Sequence, residues 1–307
     1  MIINTGARTD TVQYFSKWLI KRFEEGFVYV RNPLFQNKIT KYILDSSVVD
    51  VVEFCSKNYE PILKDLNKIT DRFNTHFHYT ITAYGKDVEP NVPSIDESIE
   101  TLYKLEEIVG SKRICWRYDP VLLTEKYTID SHLKTFESMA SKIAGHVDRC
   151  IFSFVEMYKK LEYNMPEIIL MSEDDKEKIA FGLGSIAKKY NLFIQTCGTN
   201  GDYSKYGIHK SGCMTLGMFS KSNNIEFKEM KHKGTRVGCH CIESRDIGAY
   251  DTCLNGCRYC YANKNPKLAF YNYKFHNPNS PLILGELKET DIIQDGVQKS
   301  FIKKLAK

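Results

Sequence analysis

Residues 172–196 read SEDDKEKIAFGLGSIAKKYNLFIQT and combine the signals of a helix and of a buried strand. Ser172 and Asp175 have the spacing of a capping box, which predicts the start of a helix. Apolar residues then follow at helical spacing, at Ile179, Leu183, Ile186 and Tyr190. The near-continuous apolar run Asn191–Thr196 comes directly after the helix, as is typical of a parallel sheet that helices cover.

The same alternation extends from this unit toward the N-terminus. Apolar, β-branched or aromatic runs occur at Ile2–Thr5, Phe27–Arg31, Val49–Phe54, Phe77–Ala83, Arg113–Tyr118 and Cys150–Glu156. Amphipathic helix patterns occupy Thr11–Glu25 and Ile95–Val109, and Ile242–Tyr250 offers an eighth strand. Strand and helix alternate at intervals of roughly 20 to 45 residues, so we predict an α/β fold built of βαβ units. The expected form is a (β/α) barrel of about seven or eight parallel strands.

The character of the chain changes after Thr196. We predict a barrel body over residues 1–196, a cysteine-rich metal-binding segment that completes the barrel over 197–276, and a C-terminal tail over 277–307. The tail contains a possible helix from Asp291 to Lys304. Because so long an irregular segment is unusual inside a compact protein, we expect function or a bound metal to order it.

Composition excludes several classes of protein. The 307 residues are 42% hydrophobic, which is ordinary for a globular chain, and the net charge of +5 neither argues for nucleic-acid binding by itself nor excludes it. No apolar run approaches the length of a membrane helix, and the N-terminus lacks an export signal, so we expect a cytoplasmic protein without a membrane partner. In a reducing cytosol, ten cysteines are better explained as metal ligands or redox groups than as disulfides.

The strongest motif is Thr252–Ala262, TCLNGCRYCYA, in which Cys253, Cys257 and Cys260 follow a Cys-x3-Cys-x2-Cys spacing. Three thiolates this close can hold three irons of a [4Fe–4S] cluster and leave the fourth iron open. The alternative is a zinc site, although zinc prefers four ligands, usually in paired hooks.

A second set of thiols lies in the irregular segment, at Cys197, Cys213, Cys239 and Cys241. These residues suggest a second metal, either zinc or another iron–sulfur cluster, that would order the segment. The alternative is a set of ordinary reduced cysteines, with Cys239 and Cys241 on opposite sides of an extended strand.

The cysteine motif resembles that of radical S-adenosylmethionine enzymes. The resemblance implies that S-adenosylmethionine binds the open iron and is cleaved to a 5′-deoxyadenosyl radical, and that Tyr259 packs near the adenine. In those enzymes the motif follows the first strand, whereas here it lies near the C-terminus. A circularly permuted barrel, with Ile242–Tyr250 feeding the motif, would reconcile the two orders.

The chain as a whole resembles domain-of-unknown-function family 1848, which is noted for such a C-terminal cysteine cluster. The resemblance is carried by Ala7–Asp10, Val30–Pro33, Tyr84–Gly85, Glu89–Ser94, Trp116–Pro120 and Ile247–Cys253. It supports the cluster and implies no particular reaction.

Charged residues fall where several predicted strands end, and a barrel would bring those ends to one mouth. We predict catalytic roles for Arg8, Asp10, Arg117 and Asp119, and expect Arg31 and Glu156 in the same pocket. Arginine suits carboxylate or phosphate, so the set suggests an anionic substrate or the carboxylate of S-adenosylmethionine. The alternative is a set of ion pairs that close the barrel without a ligand.

These observations predict a radical S-adenosylmethionine-type enzyme that abstracts hydrogen from a small-molecule substrate, with an electron donor such as ferredoxin or flavodoxin as its partner. One alternative is an iron–sulfur or zinc protein that is not an enzyme and acts in electron transfer or partner binding. A further alternative is modification or repair of nucleic acid, because the Tyr-Cys-Tyr context also resembles radical DNA-repair lyases.

Overall fold

The computed structural model describes residues 1–230, 232 and 238–303. Its main sheet has eight strands, and all of their pairings are parallel. These strands are β1 (Ile2–Asn4), β4 (Val51–Ser56), β5 (Thr75–Thr80), β6 (Ile114–Val121), β7 (Arg149–Phe154), β8 (Ile194–Thr196), β9 (His209–Lys210) and β10 (Arg245–Asp246). They neighbour one another in chain order, except that β10 lies on the free side of β1. The predicted α/β class is therefore confirmed.

A second, three-stranded sheet lies outside the main one. It comprises β2 (Phe27–Arg31), β3 (Lys38–Ile43) and β11 (Ile292–Asp295). Two predictions are wrong here: the run Phe27–Arg31 pairs antiparallel with β3 and does not join the main sheet, and Asp291–Lys304 contains a strand where a helix was expected. The reason is long-range pairing, because β11 reaches β3 from the far end of the chain. Lys304 lies outside the described residues.

The helices connect the strands in the manner of βαβ units. They are α1 (Thr11–Tyr14), α2 (Ser16–Glu25), α3 (Glu60–Leu63), α4 (Asn67–Thr70), α5 (Ile95–Val109), α6 (Ile129–Ile143), α7 (Lys159–Asn164), α8 (Glu173–Lys189), α9 (Leu216–Asn223) and α10 (Pro266–Tyr273). The capping box predicted at Ser172 is present, with Asp175 as its third helical residue. Among the described residues, no helix has the length and apolar character needed to cross a membrane.

The main sheet is open in the part of the chain that the structure describes, since no strand pairing joins β9 to β10. Between β9 and β10 the described part of the chain is mostly irregular and is held by separate hydrogen bonds. Ile242 N–H donates to Met214 O at 3.0 Å, and the side chain of Gln195 in β8 donates from Nε2 to Gly212 O at 3.0 Å. The predicted closed barrel is therefore not formed by hydrogen-bonded strands here. The boundaries at residues 196 and 276 stay a prediction.

The two faces of the sheet differ in polarity. Side chains that pack under the helices are large and apolar, and Trp116 stacks on Phe136 of α6 with ring centroids 4.8 Å apart. On the opposite face, which we call the inner face, alternate positions of β4, β5 and β6 carry the polar residues Glu53, His76 and Arg117. Because parallel strands end at one edge, these polar rows lead to a common carboxyl edge, the edge at which strands β1 and β4–β8 end.

Replacing Arg31 with alanine should lower the stability of the protein and leave unchanged the content of any metal that it binds. The guanidinium holds both carboxylate oxygens of Asp291, with Nη2 at 2.7 Å from Oδ2, and so fastens β11 to β2. We expect a loss of about 1–2 kcal/mol in the free energy of unfolding, measured in urea, because a charge-assisted pair is removed. The exposed Lys38→Ala change on β3 serves as the control. A loss of metal with unchanged stability would restore Arg31 to the predicted pocket.

Candidate metal centre at the carboxyl edge

The cysteine loop, residues 253–260, lies on the carboxyl edge of the sheet. Asn255 Nδ2 donates to the Asp10 carboxylate at 3.2 Å, just beyond β1. Asn91, in the connection after β5, donates from Nδ2 to Leu254 O at 2.7 Å, and its backbone N–H donates to Asn255 O at 3.2 Å. The loop is thus bound to the ends of strands that are distant from it in sequence.

The second half of the loop is held from another side. The Arg258 guanidinium pairs with Glu167 at 2.6 Å and donates to Asn164 O at 2.6 Å. Tyr158 Oη donates to Tyr259 O at 2.6 Å. Gly256 has φ +69°, and a Cβ there would lie 3.0 Å from Pro90, so the tight turn between Cys253 and Cys257 favours glycine.

The three thiols of the cysteine loop are grouped loosely. They do not form a set whose ligand atoms all lie within 4.8 Å of one another. A single tetrahedral zinc would bring thiolates to about 3.8 Å apart, given a zinc–sulfur bond of about 2.3 Å. At least one pair of these sulfurs is therefore farther apart than two thiolates on one zinc ion would be. A cavity of about 230 Å³ adjoins Cys257 and Cys260.

Tyr259 is fixed by a buried polar network. Its hydroxyl donates to Glu89, which also accepts from Lys57 Nζ at 2.8 Å and from Thr82 Oγ1 at 2.9 Å. The Tyr84 ring lies 5.8 Å from the Tyr259 ring, centroid to centroid. Burial raises the pKa of Tyr259 well above its usual value, so the phenol stays protonated and can donate. The network clamps the cysteine loop to the ends of β4 and β5.

The predicted catalytic residues all lie at the carboxyl edge. Arg8 Nε is 3.7 Å from the carboxylate of Asp246 in β10. Asp10 caps α1 and accepts hydrogen bonds from Ser56 Oγ, at 2.7 Å, and from Lys57 N–H, at 3.0 Å. Burial raises the pKa of Asp10 above its usual value. Asp10 is therefore joined directly to both β4 and the cysteine loop.

Arg117 and Asp119 form an ion pair on β6, and Ser153 of β7 donates to the same carboxylate. Both side chains keep some exposure, at 18% and 16%. Arg31 does not join them, because it pairs with Asp291 in the second sheet, so its predicted place in the pocket is wrong. Glu156 is exposed beyond the end of β7.

The second set of cysteines converges only in part. The inner thiol group, which we define as Cys197, Cys213 and Cys241, has sulfurs that all lie within 4.8 Å of one another. The sulfurs of Cys213 and Cys241 are 3.4 Å apart, and hydrogen bonds from the two neighbouring thiols hold the pKa of Cys213 well below its usual range. Cys239 is not a member of this group.

Sequence reasoning missed a cluster of buried groups on the inner face. Glu53 lies 2.8 Å from His76 Nδ1 and 3.2 Å from His78 Nδ1, and His76 Nε2 lies 3.3 Å from the Cys115 sulfur. His76, His78 and Cys115 form a second group close enough to hold a metal ion. Burial raises the pKa of Glu53 to about 7. The available signal was the alternation of polar residues along β4 and β5.

Comparison with known proteins gives one informative result. No curated protein sequence matches the chain. The family model described as Domain of unknown function (DUF1848) matches residues 2–262, which include the whole main sheet and the cysteine loop. The chain, with its parallel sheet and its cysteines at the carboxyl edge, therefore belongs to the DUF1848 family.

Proposed function

We propose that Cys253, Cys257 and Cys260 hold a [4Fe–4S] cluster and that the protein is a radical S-adenosylmethionine-type enzyme. The observation that carries the proposal is the attachment of a Cys-x3-Cys-x2-Cys loop to the carboxyl edge of an eight-stranded parallel sheet. Active sites of parallel β/α folds lie at this edge. The position of β10 beside β1 fits a permuted order, because the strand that precedes the loop neighbours the N-terminal strand.

Three thiolates leave one iron of a cubane without a protein ligand. With S-adenosylmethionine bound, such a cluster supplies a 5′-deoxyadenosyl radical for hydrogen abstraction, and an external donor such as ferredoxin or flavodoxin would provide the electron. The loosely grouped thiols of the cysteine loop favour this cluster over a single zinc ion.

The chain's own residues suit the recognition of a charged small molecule. Tyr259, immobilised by Glu89, offers a rigid aromatic ring beside Cys260 for the stacking of a base. The Arg117 guanidinium is partly exposed and already faces a carboxylate, that of Asp119, which a carboxylate or phosphate of the substrate would replace. The Arg8 guanidinium likewise faces the carboxylate of Asp246, which an anionic group of the substrate would replace. We therefore propose an anionic substrate.

Anaerobic reconstitution tests the cluster. Protein treated with iron and sulfide should retain about four irons at this site, and Cys257→Ser should lose them. Cys150→Ser, which alters a buried cysteine in β7, is the matched control and should keep them. Stoichiometric zinc at Cys253, Cys257 and Cys260, with no iron or sulfide, would overturn the assignment.

Addition of S-adenosylmethionine tests the enzyme. It should change the electron paramagnetic resonance spectrum of the reduced protein, and 5′-deoxyadenosine should be released slowly even without substrate. An intact cluster whose spectrum does not change, without cleavage of S-adenosylmethionine, would favour an electron-transfer protein. Strongly salt-dependent binding of DNA or RNA would favour nucleic acid as the substrate.

A further inference from the structure

The inner thiol group draws its members from three separate segments. Cys197 directly follows β8, Cys213 follows β9, and Cys241 precedes β10. Their sulfurs nevertheless all lie within 4.8 Å of one another, and the closest pair, Cys213 and Cys241, is 3.4 Å apart. That separation is far longer than a disulfide bond, which measures about 2.05 Å, so these are free thiols.

The spacing matches the coordination sphere of one ion. Tetrahedral thiolates on zinc lie about 3.8 Å apart, a value close to the 3.4 Å of the nearest pair. The residues outside the described ranges include no Cys, His, Asp or Glu, so none of them can add such a ligand. The inner thiol group thus differs from the cysteine loop, whose thiols are spread more widely.

A positively charged side chain adjoins the inner thiol group. The guanidinium of Arg117 lies near Cys197 and Cys213, where its positive charge would offset part of the negative charge of thiolates bound to a metal ion. Arg117 belongs to β6, on the same inner face of the sheet. Cys197 and Cys241 are themselves buried, at 6% and 3% exposure.

The backbone around these thiols is closely packed. Gly212 approaches the His240 carbonyl so closely that a Cβ would lie 2.6 Å from its oxygen, and Ile242 N–H donates to Met214 O. The segments that carry Cys213 and Cys241 therefore run side by side. They do so in the interval between β9 and β10, where no strand pairing joins the two ends of the main sheet among the described residues.

We propose that Cys197, Cys213 and Cys241 bind a single thiophilic cation, zinc(II) in the resting protein, which bridges the two ends of the open sheet. The ion would replace the missing strand pairing with three metal–sulfur bonds, and a water molecule or another ligand would take its fourth position. Cys239, although close in sequence, is not a ligand. The proposal is independent of the cluster at the cysteine loop and stands if that loop holds none.

The test uses the full chain with Cys253, Cys257 and Cys260 all replaced by alanine, so that the cysteine loop contributes no metal. The Cys213→Ser comparison below then separates metal at the inner thiol group from metal at His76, His78 and Cys115. This variant should bind one zinc per chain. Cobalt(II) substituted for the zinc should give the intense near-ultraviolet sulfur-to-cobalt absorption of several thiolates. Adding Cys213→Ser should abolish binding, whereas adding Cys239→Ser or Cys150→Ser should leave it intact.

A stability measurement guards against misfolded variants. A chelator should lower the melting temperature of the loop-substituted chain and should not lower that of the same chain carrying Cys241→Ser. Three results would overturn the proposal: zinc retained after Cys213→Ser, zinc lost after Cys239→Ser, or iron and sulfide bound in place of one ion. A Cys213–Cys241 disulfide in anaerobically prepared protein would also overturn it.

Discussion

Replacing Glu89 with alanine should destabilise the protein by about 3 kcal/mol and release the cysteine loop from the sheet. Glu89 is 2% exposed and accepts hydrogen bonds from Lys57, Thr82 and Tyr259. Its loss leaves the Lys57 ammonium, only 12% exposed, without a carboxylate, and an unpaired buried charge is costly. Urea unfolding gives the free energy, and iron content after anaerobic reconstitution should fall in the same variant.

A double substitution that removes both charges shows how much of the destabilisation comes from the unpaired Lys57 charge and how much from the lost side-chain volume. The double change Lys57→Met and Glu89→Leu should recover most of the stability, because apolar residues of similar volume can replace a buried ion pair. It should not recover the iron content fully, since Tyr259 still lacks its acceptor. Glu107→Ala, an exposed position on α5, is the control and should change the free energy of unfolding by less than about 0.5 kcal/mol. A fully stable Glu89→Ala protein would show that the network does not hold the loop.

Trp116→Ala should cost about 3–5 kcal/mol in the free energy of unfolding. The indole is fully buried on β6, stacks on Phe136, and donates from Nε1 to Ile81 O at 2.9 Å. Alanine would leave a cavity between the sheet and α6 and an unpaired buried carbonyl. Chemical denaturation followed by circular dichroism measures the loss.

Trp116→Phe keeps an aromatic ring in the core, so it removes the hydrogen bond but only part of the buried volume that alanine removes. We expect it to cost about 1–2 kcal/mol, much less than alanine. Phe270→Ala, at a residue of α10 that is 57% exposed, should have little effect. A similar loss at both positions would argue against a core between β6 and α6.

Local sequence signals were enough to predict the α/β class and the approximate position of most main-sheet strands. Helix α8 begins at a capping box that two residues, Ser172 and Asp175, encode, and the apolar run after the helix leads into β8. The cysteine loop was equally easy to recognise, because its three cysteines lie within eight residues of one another in the sequence. Signals of this kind depend on neighbours in the chain.

Features that depend on distant residues were not accessible in that way. β2 looks like any buried strand, but it pairs with β3, which in turn pairs with β11 from the far end of the chain. Arg31 consequently meets Asp291 and not the carboxyl edge. Likewise, nothing in the spacing of the second cysteine set indicates that Cys197 approaches Cys241 while Cys239 stays outside the group.

The polar residues of the inner face alternate with apolar ones in the sequence, but aromatic neighbours make this alternation hard to recognise. In β5, His76 and His78 alternate with Phe77 and Tyr79, so an apolar row faces the helices and a polar row faces inward. The bulky aromatic residues make the strand look uniformly apolar. The period of two distinguishes the faces only once the partner of the polar row, Glu53 on β4, is known.

The pairing of β1 with β10 also has a consequence for how the protein is made. Ile3 pairs with Arg245, so the two partners are separated by most of the chain. The ribosome releases the polypeptide from the N-terminus. The backbone groups on one side of β1 therefore stay unpaired until β10 has been synthesised, and an unpaired strand edge promotes aggregation. The cysteine loop emerges only after β10. If the loop holds the proposed cluster, insertion of that cluster follows the emergence of β10, the last strand of the main sheet.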